Sequence, residues 1–236
     1  MNRSVRKSVG SGLGIALLLL GFAIATPAQK SRMQDAARHA SGAAKVFTEI
    51  MNVRDRAIPK ELLDKAEAIA VFPGVIKAAF IFGGRGGQGV ISKRQKNGWS
   101  APAFFNLTGG SFGAQIGAQK NDYVFLIMNE DGVKGLLEDK FEMGGEAGIV
   151  AGPVGREAAA STTATLDAGI LSYSRSKGAF IGAALKGVAI SPDNDLNQAV
   201  YGMKGREMLT GKPMTLAEMP ASVRIFPRTL SRYSIR

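Results

Sequence analysis

Three groups of residues in this 236-residue chain have types and spacings that chemistry can use. Gly84, Gly86 and Gly89, within FIFGGRGGQGVISKR, spell G-x-G-x-x-G directly after an apolar run. A dinucleotide-binding loop uses that spacing to bring backbone up to a pyrophosphate at a helix N-terminus. It also needs a helix opening at the last glycine and a carboxylate about 20 residues further on for a ribose hydroxyl. Here Val90, Ile91 and Ser92 follow instead, and no Asp or Glu occurs between Glu67 and Asp122. A P-loop is excluded too, because no Gly-Lys-Ser/Thr closes the segment. The residues read as a glycine-rich hairpin turn between two strands, with no nucleotide and no cofactor.

Ser174 and Lys177 match the S-x-x-K of penicillin-recognising serine enzymes. That motif requires a helix start and partners of the S-D-N and K-T-G type, which the chain lacks. DNDLN, from Asp193, resembles the opening of a calcium loop, yet Gln198 stands where glycine is needed and Lys204 where the bidentate glutamate belongs. Asp193 reads better as an acidic residue in a helix first turn. His39 is the only histidine and has no second ligand near it in sequence, so a zinc site is not supported. The absence of cysteine removes thiol chemistry, disulfides and a lipid-modified cysteine. No nucleophile with a matching base emerges, so the chain does not read as an enzyme.

What remains is charge. The formal net charge is +11, which points to an anionic partner. Between Ala68 and Asn121 every charged residue is a cation: Lys77, Arg85, Lys93, Arg94, Lys96 and Lys120. Ordinary surfaces mix signs, so a one-signed stretch suggests a face that meets anions. Arg175 and Lys177, two residues apart in a hairpin turn, are expected to join it. One tryptophan and four tyrosines offer little base stacking, and a membrane surface is the expected partner rather than nucleic acid. In the tail SVRIFPRTLSRYSIR, Arg224, Arg228, Arg232 and Arg236 recur every fourth residue among apolar ones. On a helix they form one basic stripe, the composition of an interfacial anchor. Pro227 argues against an unbroken helix, which leaves an extended or disordered tail as the other reading. Either way the tail is expected to be peripheral, so that removing it barely changes thermal stability.

The elements that position these residues follow from periodicity. Met33, Ala36, Ala37, Ala40, Ala44, Phe47, Ile50 and Met51 recur at spacings of three and four, an amphipathic helix that either covers a core or lies on a membrane. A second helix is expected to open near Pro59 with Lys60/Asp64 as an i,i+4 pair. From Ala68 short apolar runs with turn signals follow (AIAVF, VIKAAFIF, GVISK, WSAPAFFNL, DYVFLIMN), and they read as antiparallel strands. Later come a short helix over 131–138, the strand AGILSYSR, a turn at Ser176 to Gly178, and a helix opened by Pro192 and ended by Gly202. In GGSFGAQIG, Phe112, Ala114 and Ile116 share one strand face while glycines occupy the other, and such bare faces let a sheet curve. GGEAGIVAG repeats its glycine spacing. The expected fold is α+β: a curved or barrel-like, mostly antiparallel sheet with N-terminal helices and short connecting helices.

The start, MNRSVRKSVGSGLGIALLLLGFAIATPAQKS, has a basic opening, an apolar stretch over 13–25 and small residues suited to cleavage. This predicts a signal peptide over 1–28 and an exported, periplasmic protein. The apolar stretch falls short of the roughly 20 residues that span a bilayer. The remainder divides into a helical segment over 29–60, a main domain over 61–202 and the basic tail over 203–236.

The segments AIAVFPGVIKAAFIFGGRGGQGVISKR, GWSAPAFFNLTGGSFGAQIGAQKNDYVFLIMN, AGPVGREAAAS, SYSRSKGAFIGAALKG and AVYG, in this order, resemble the SYLF domain from about Glu61 to Gly202. The resemblance implies lipid binding without catalysis, since SYLF domains occur as exported bacterial proteins and, in eukaryotes, beside SH3 or FYVE modules, binding phosphoinositides and in some fungal members actin. Lipoprotein-like bacterial members carry a cysteine after the signal, and this chain has none. The expected role is recognition of anionic phospholipid at a membrane surface. A cell-envelope protein that binds a protein partner is the alternative.

Overall fold

A computed structural model describes residues 27–53, 57–79, 82–112, 117–136, 141–143, 149–155, 168–183, 185, 187–212 and 214–234. Residues 1–26 of the expected signal segment lie outside these residues, as do Ala114 and Ile116 of the glycine-rich face and most of GGEAGIVAG, while Pro27 and Ala28, the last two of that segment, open the first helix.

Helix α1 (Pro27–Met51) buries Ala36, Ala40, Ala43, Ala44, Phe47 and Ile50, the helical spacing read from the sequence with Ala43 added. Its small side chains let it lie close to the sheet: a Cβ on Gly42 would touch the Pro73 ring at 3.5 Å. Helix α2 (Lys60–Lys65) follows Pro59 and carries the Lys60–Asp64 pair at 2.6 Å.

The strands are β1 (Ala68–Ala79), β2 (Phe82–Gln95), β3 (Gly98–Trp99), β4 (Ala103–Phe112), β5 (Gly117–Ile127), β6 (Phe141–Met143), β7 (Ile149–Ala151), β8 (Ile170–Ser176), β9 (Ala179–Gly182) and β10 (Val188–Pro192). They form one sheet in the order β6-β10-β4-β2-β1-β5-β8-β7, with β3 paired to β2 and β9 to β8. Every described pairing is antiparallel except β7 with β8. The sheet curls into a half-barrel, which is the expected fold class. AIAVF and the VIKAA that opens the next run prove to be one strand, β1, joined across an irregularity where Pro73 and Gly74 (φ +60°) shift the register, while Phe82 at the end of that run begins β2.

Alternation along the strands builds a core on each face. Ile69, Val71, Val90, Val124, Leu126 and Tyr173 pack with α1. Ala70, Phe72, Val75, Ile91, Phe105 and Phe125 pack on the opposite side with helix α3 (Glu130–Leu136) and helix α5 (Gly205–Thr210). Both faces are buried only near one end of the long strands. At the other end Ile76, Gly84, Gly86, Gln88, Thr108, Gly110 and 118–120 are exposed, nearly all on the α1 side of the sheet, while Lys77, Arg85 and Gly109 on the other side are partly buried, so the hairpins project past the core as a fin.

The structure moves the Gly84–Gly89 motif from a turn into the strand β2, which corrects the hairpin-turn reading. The reason is steric. A Cβ on Gly89 would stand 2.3 Å from the Val71 carbonyl oxygen, and one on Gly87 would stand 2.7 Å from the Val75 side chain. The glycines let β2 lie tight on the irregular stretch of β1. The β8–β9 turn is as expected, with Lys177 (φ 49°) and Gly178 (φ 83°) at its centre, the two positive φ values of a type I′ hairpin. Helix α4 (Asn194–Tyr201) opens with the Asp193 carboxylate accepting from the Leu196 amide at 3.0 Å and closes at Gly202 (φ 68°). Asp193 is thus an N-cap rather than a calcium ligand.

The tail is part of the core, a second correction. After a 3-10 turn at Ala221–Val223, helix α6 (Ile225–Tyr233) buries Phe226 and Leu230 completely. Phe47 of α1 meets Tyr233 edge-on at 5.9 Å. Pro227 falls in the first turn of α6, where an amide has no intrahelical acceptor to lose, so it does not break the helix.

Candidate functional site

The fold separates the sequence's cations into groups. On the fin, Lys77 of β1 lies directly opposite Arg85 of β2 and, on its other side, opposite Gln119 of β5. All three share the sheet face of Val75. The Arg85 stem covers Gly109, where a Cβ would come within 3.2 Å of the Arg85 Cγ. The Arg85 Nε is buried without a hydrogen-bond acceptor among the described residues. Neither Lys77 nor Arg85 has a carboxylate partner there, and like charges directly opposite on adjacent strands repel. Lys120 is exposed on the other face, its stem arching over Gly74, where a Cβ would meet it at 2.5 Å.

Three expected surface cations serve the fold instead, which corrects the sequence reading of them as anion ligands. The Arg94 Nε donates to the Ala66 carbonyl at 2.7 Å, and its Nη2 donates to the Leu63 carbonyl at 2.5 Å and the Ser234 hydroxyl at 2.7 Å. Its guanidinium also lies over the Trp99 ring, 4.2 Å from the centroid. Arg175 points at α1 and its own neighbour strand: Nε and Nη2 reach the Asp122 Oδ2 at 2.8 and 2.7 Å, and Nη1 donates to Glu49. Burial works against the Arg175 charge, but these carboxylates outweigh it and hold its pKa above the ordinary value. Arg224 donates to the carbonyls of Met219 and Ala217 at 2.8 and 2.9 Å. Lys177, Arg228 and Arg232 remain exposed.

Lys93 lies at the far end of β2, about 25 Å from Arg85 at the rise of a strand, and Lys96 in the turn that follows. They border a cavity of about 680 Å³ that sequence reasoning missed. Trp99, Met208, Met214, Leu216 and Met219 supply its apolar wall. Three methionines within twelve residues, downstream of the only tryptophan, were the available signal. Trp99 is 4% exposed, and its indole N–H has no acceptor among the described residues.

Ser174 lies within a strand, not at a helix start. Burial raises the Tyr173 and Tyr201 phenols well above their ordinary range, and both donate to backbone carbonyls, of Pro153 and Pro102. Among the described residues no group of three or more acidic or histidine side chains is placed to hold a metal, and no helix is long and apolar enough to cross a membrane.

A curled α+β half-barrel covered by terminal helices, with two opposed cations on its projecting strands, defines the class. The family described as "Ysc84: Las17-binding protein actin regulator" matches residues 108–233, just over half of the chain, and the protein belongs to that family. The match reaches through α6, consistent with that helix being integral to the fold. The chain is 40% identical over 152 residues to LAS seventeen-binding protein 3 of Saccharomyces cerevisiae, covering 63% of this chain and 33% of the yeast protein. It is similar to SH3 domain-containing YSC84-like protein 1 of Xenopus laevis, 29% identical over 212 residues, 87% of this chain and 63% of the frog protein. The human protein of that name is 30% identical over 175 residues, 72% of this chain and 51% of the relative. The chain therefore spans between 33% and 63% of the length of these relatives, of which the yeast protein is named for binding.

Proposed function

We propose that the protein is an exported, periplasmic lipid-binding module that attaches peripherally to membranes by recognising anionic phospholipid headgroups. The observation that carries this reading is the Lys77–Arg85 pair: two cations opposite each other on neighbouring strands, with no carboxylate partner among the described residues. A phosphate between them relieves their repulsion. Exposed Lys120, Lys177 and Lys96 add to the field without making specific contacts. The export half of the reading rests on the basic opening and apolar stretch over 1–28.

Flotation with phosphatidylglycerol or cardiolipin vesicles tests it. Binding is expected to weaken as salt rises, because exposed charges are screened beyond about 8 Å at physiological ionic strength. Lys77→Gln with Arg85→Gln is expected to weaken it further. Equal binding to zwitterionic vesicles at low and high salt would sink the electrostatic account. The names of the yeast relatives favour a second reading, a cell-envelope protein that grips a protein partner and touches lipid incidentally. That reading expects no flotation with any vesicle and instead capture of a single polypeptide whose binding depends on the fin.

A further inference from the structure

The cavity at the end of β2 is chemically divided. Its wall is built from Met208, Met214, Leu216 and Met219. Thioether side chains rearrange readily around a flexible apolar chain. Its charged lining is wholly cationic: Lys93 and Lys96 border it beside Arg94, and no Asp or Glu does. Arg94 is spent on Leu63, Ala66 and Ser234, which leaves the two lysines for a ligand. Trp99 closes one side of the cavity, with the Arg94 guanidinium over its ring at 4.2 Å from the centroid. At about 680 Å³ the space lies within the range of single small-molecule sites, roughly 300–1,000 Å³.

We propose that this cavity binds one free single-chain amphiphile with an anionic oxygen head, a long-chain fatty carboxylate. The alkyl chain lies among the methionines and Leu216. The carboxylate meets Lys93 and Lys96. The site is separate from the Lys77–Arg85 pair and adds a monomeric ligand to the surface reading without depending on it.

Trp99 is the only tryptophan, so intrinsic fluorescence reports this cavity alone. The full chain is titrated with a fatty carboxylate brominated along its chain, below the concentration at which it self-associates. Parallel arms use the brominated alcohol of equal length and vesicles of brominated phosphatidylglycerol. Saturable quenching by the carboxylate is expected. It should be about tenfold weaker for the alcohol and for the Lys93→Gln/Lys96→Gln variant, the loss that one charge-assisted contact represents. Met214→Asp with Leu216→Asp should abolish it. If that double variant does not melt cooperatively, Leu216→Asp alone, at a position 45% exposed, carries the same test. No quenching by the free carboxylate overturns the proposal, and so does equal affinity for the alcohol. Quenching from vesicles only assigns the cavity to a bilayer acyl chain and overturns the free ligand. Vesicle flotation of the unaltered chain in the same buffer separates the two functions. Flotation without carboxylate quenching rejects the cavity site alone, and quenching without flotation rejects the headgroup reading alone.

Discussion

Adding one methyl group at Gly89 and, separately, at Gly86 should have opposite effects although both lie on β2 three residues apart. At Gly89 the new Cβ would stand 2.3 Å from the Val71 carbonyl oxygen and 2.6 Å from the Phe72 ring. Neither can yield easily, because Val71 and Phe72 are completely buried in β1. Forcing a methyl into such a site costs about 1–3 kcal/mol. For a chain of this size each kcal/mol moves the midpoint by about 2–4 °C, so Gly89→Ala should melt roughly 2–12 °C lower. At Gly86 the Cβ meets nothing within 4 Å. Its φ lies outside the left-handed region, so alanine restricts only the unfolded chain and contributes about 0.4–1 kcal/mol of stability. Gly86→Ala should therefore melt level with the parent or slightly higher. Scanning calorimetry and urea unfolding of the two variants side by side give the comparison. Equal losses at both positions, or a larger loss at Gly86, would refute the steric account of the motif. Micromolar NAD or ATP binding that Gly86→Ala removes would restore the nucleotide loop that the sequence reading excluded.

Phe226→Ala should cost about 3–5 kcal/mol, a fully buried aromatic lost from the core, and thermal denaturation should show the midpoint falling by about 6–20 °C. An unchanged midpoint would return the C-terminal helix to the periphery. Arg175→Gln leaves Asp122 and Glu49 without their shared cation and should cost about 1–3 kcal/mol in urea unfolding while vesicle flotation is retained. Lost flotation with unchanged stability would mean that Arg175 meets the ligand after all. His39 is half-buried, and burial, reinforced by Arg38, lowers its pKa from 6.5. The unfolded chain thus takes up this proton first, so stability should fall as pH drops below about 6.5. His39→Gln should flatten that slope between pH 6.5 and 5, and identical slopes would remove His39 as its source.

What was legible in the sequence was local. The face of α1, the Asp193 and Gly202 ends of α4 and the Lys177-Gly178 hairpin are set by neighbours a few residues away, and the spacing of apolar and turn residues reports them directly. The same logic failed where partners are distant in sequence. Arg94 looked like a surface cation because Ser234, 140 positions away, is its partner. Arg175 looked free because Glu49 lies 126 positions away. The glycines of β2 suggested a turn because glycine is the usual turn residue. Their need for close strand contact arises only from the irregularity around Pro73 and Gly74 in β1. The cavity was unreadable for a related reason, since Lys93, Trp99 and Met214 come from segments that only the closed fold brings together.

The union of α1 with α6 also orders events during synthesis. The apolar stripe of α1 emerges from the ribosome early, while Val223, Phe226, Leu230 and Tyr233, which complete its burial, come last. At about 5–20 residues per second that interval is roughly ten to forty seconds. Throughout it Phe47 and Ile50 lack part of their covering, and the long-range pairing of the sheet delays closure further. A nascent chain of this design is a natural client for chaperones that hold exposed apolar helices. Burial of the α1 stripe is complete only once α6 has docked on it, so α6 acts as a latch on α1.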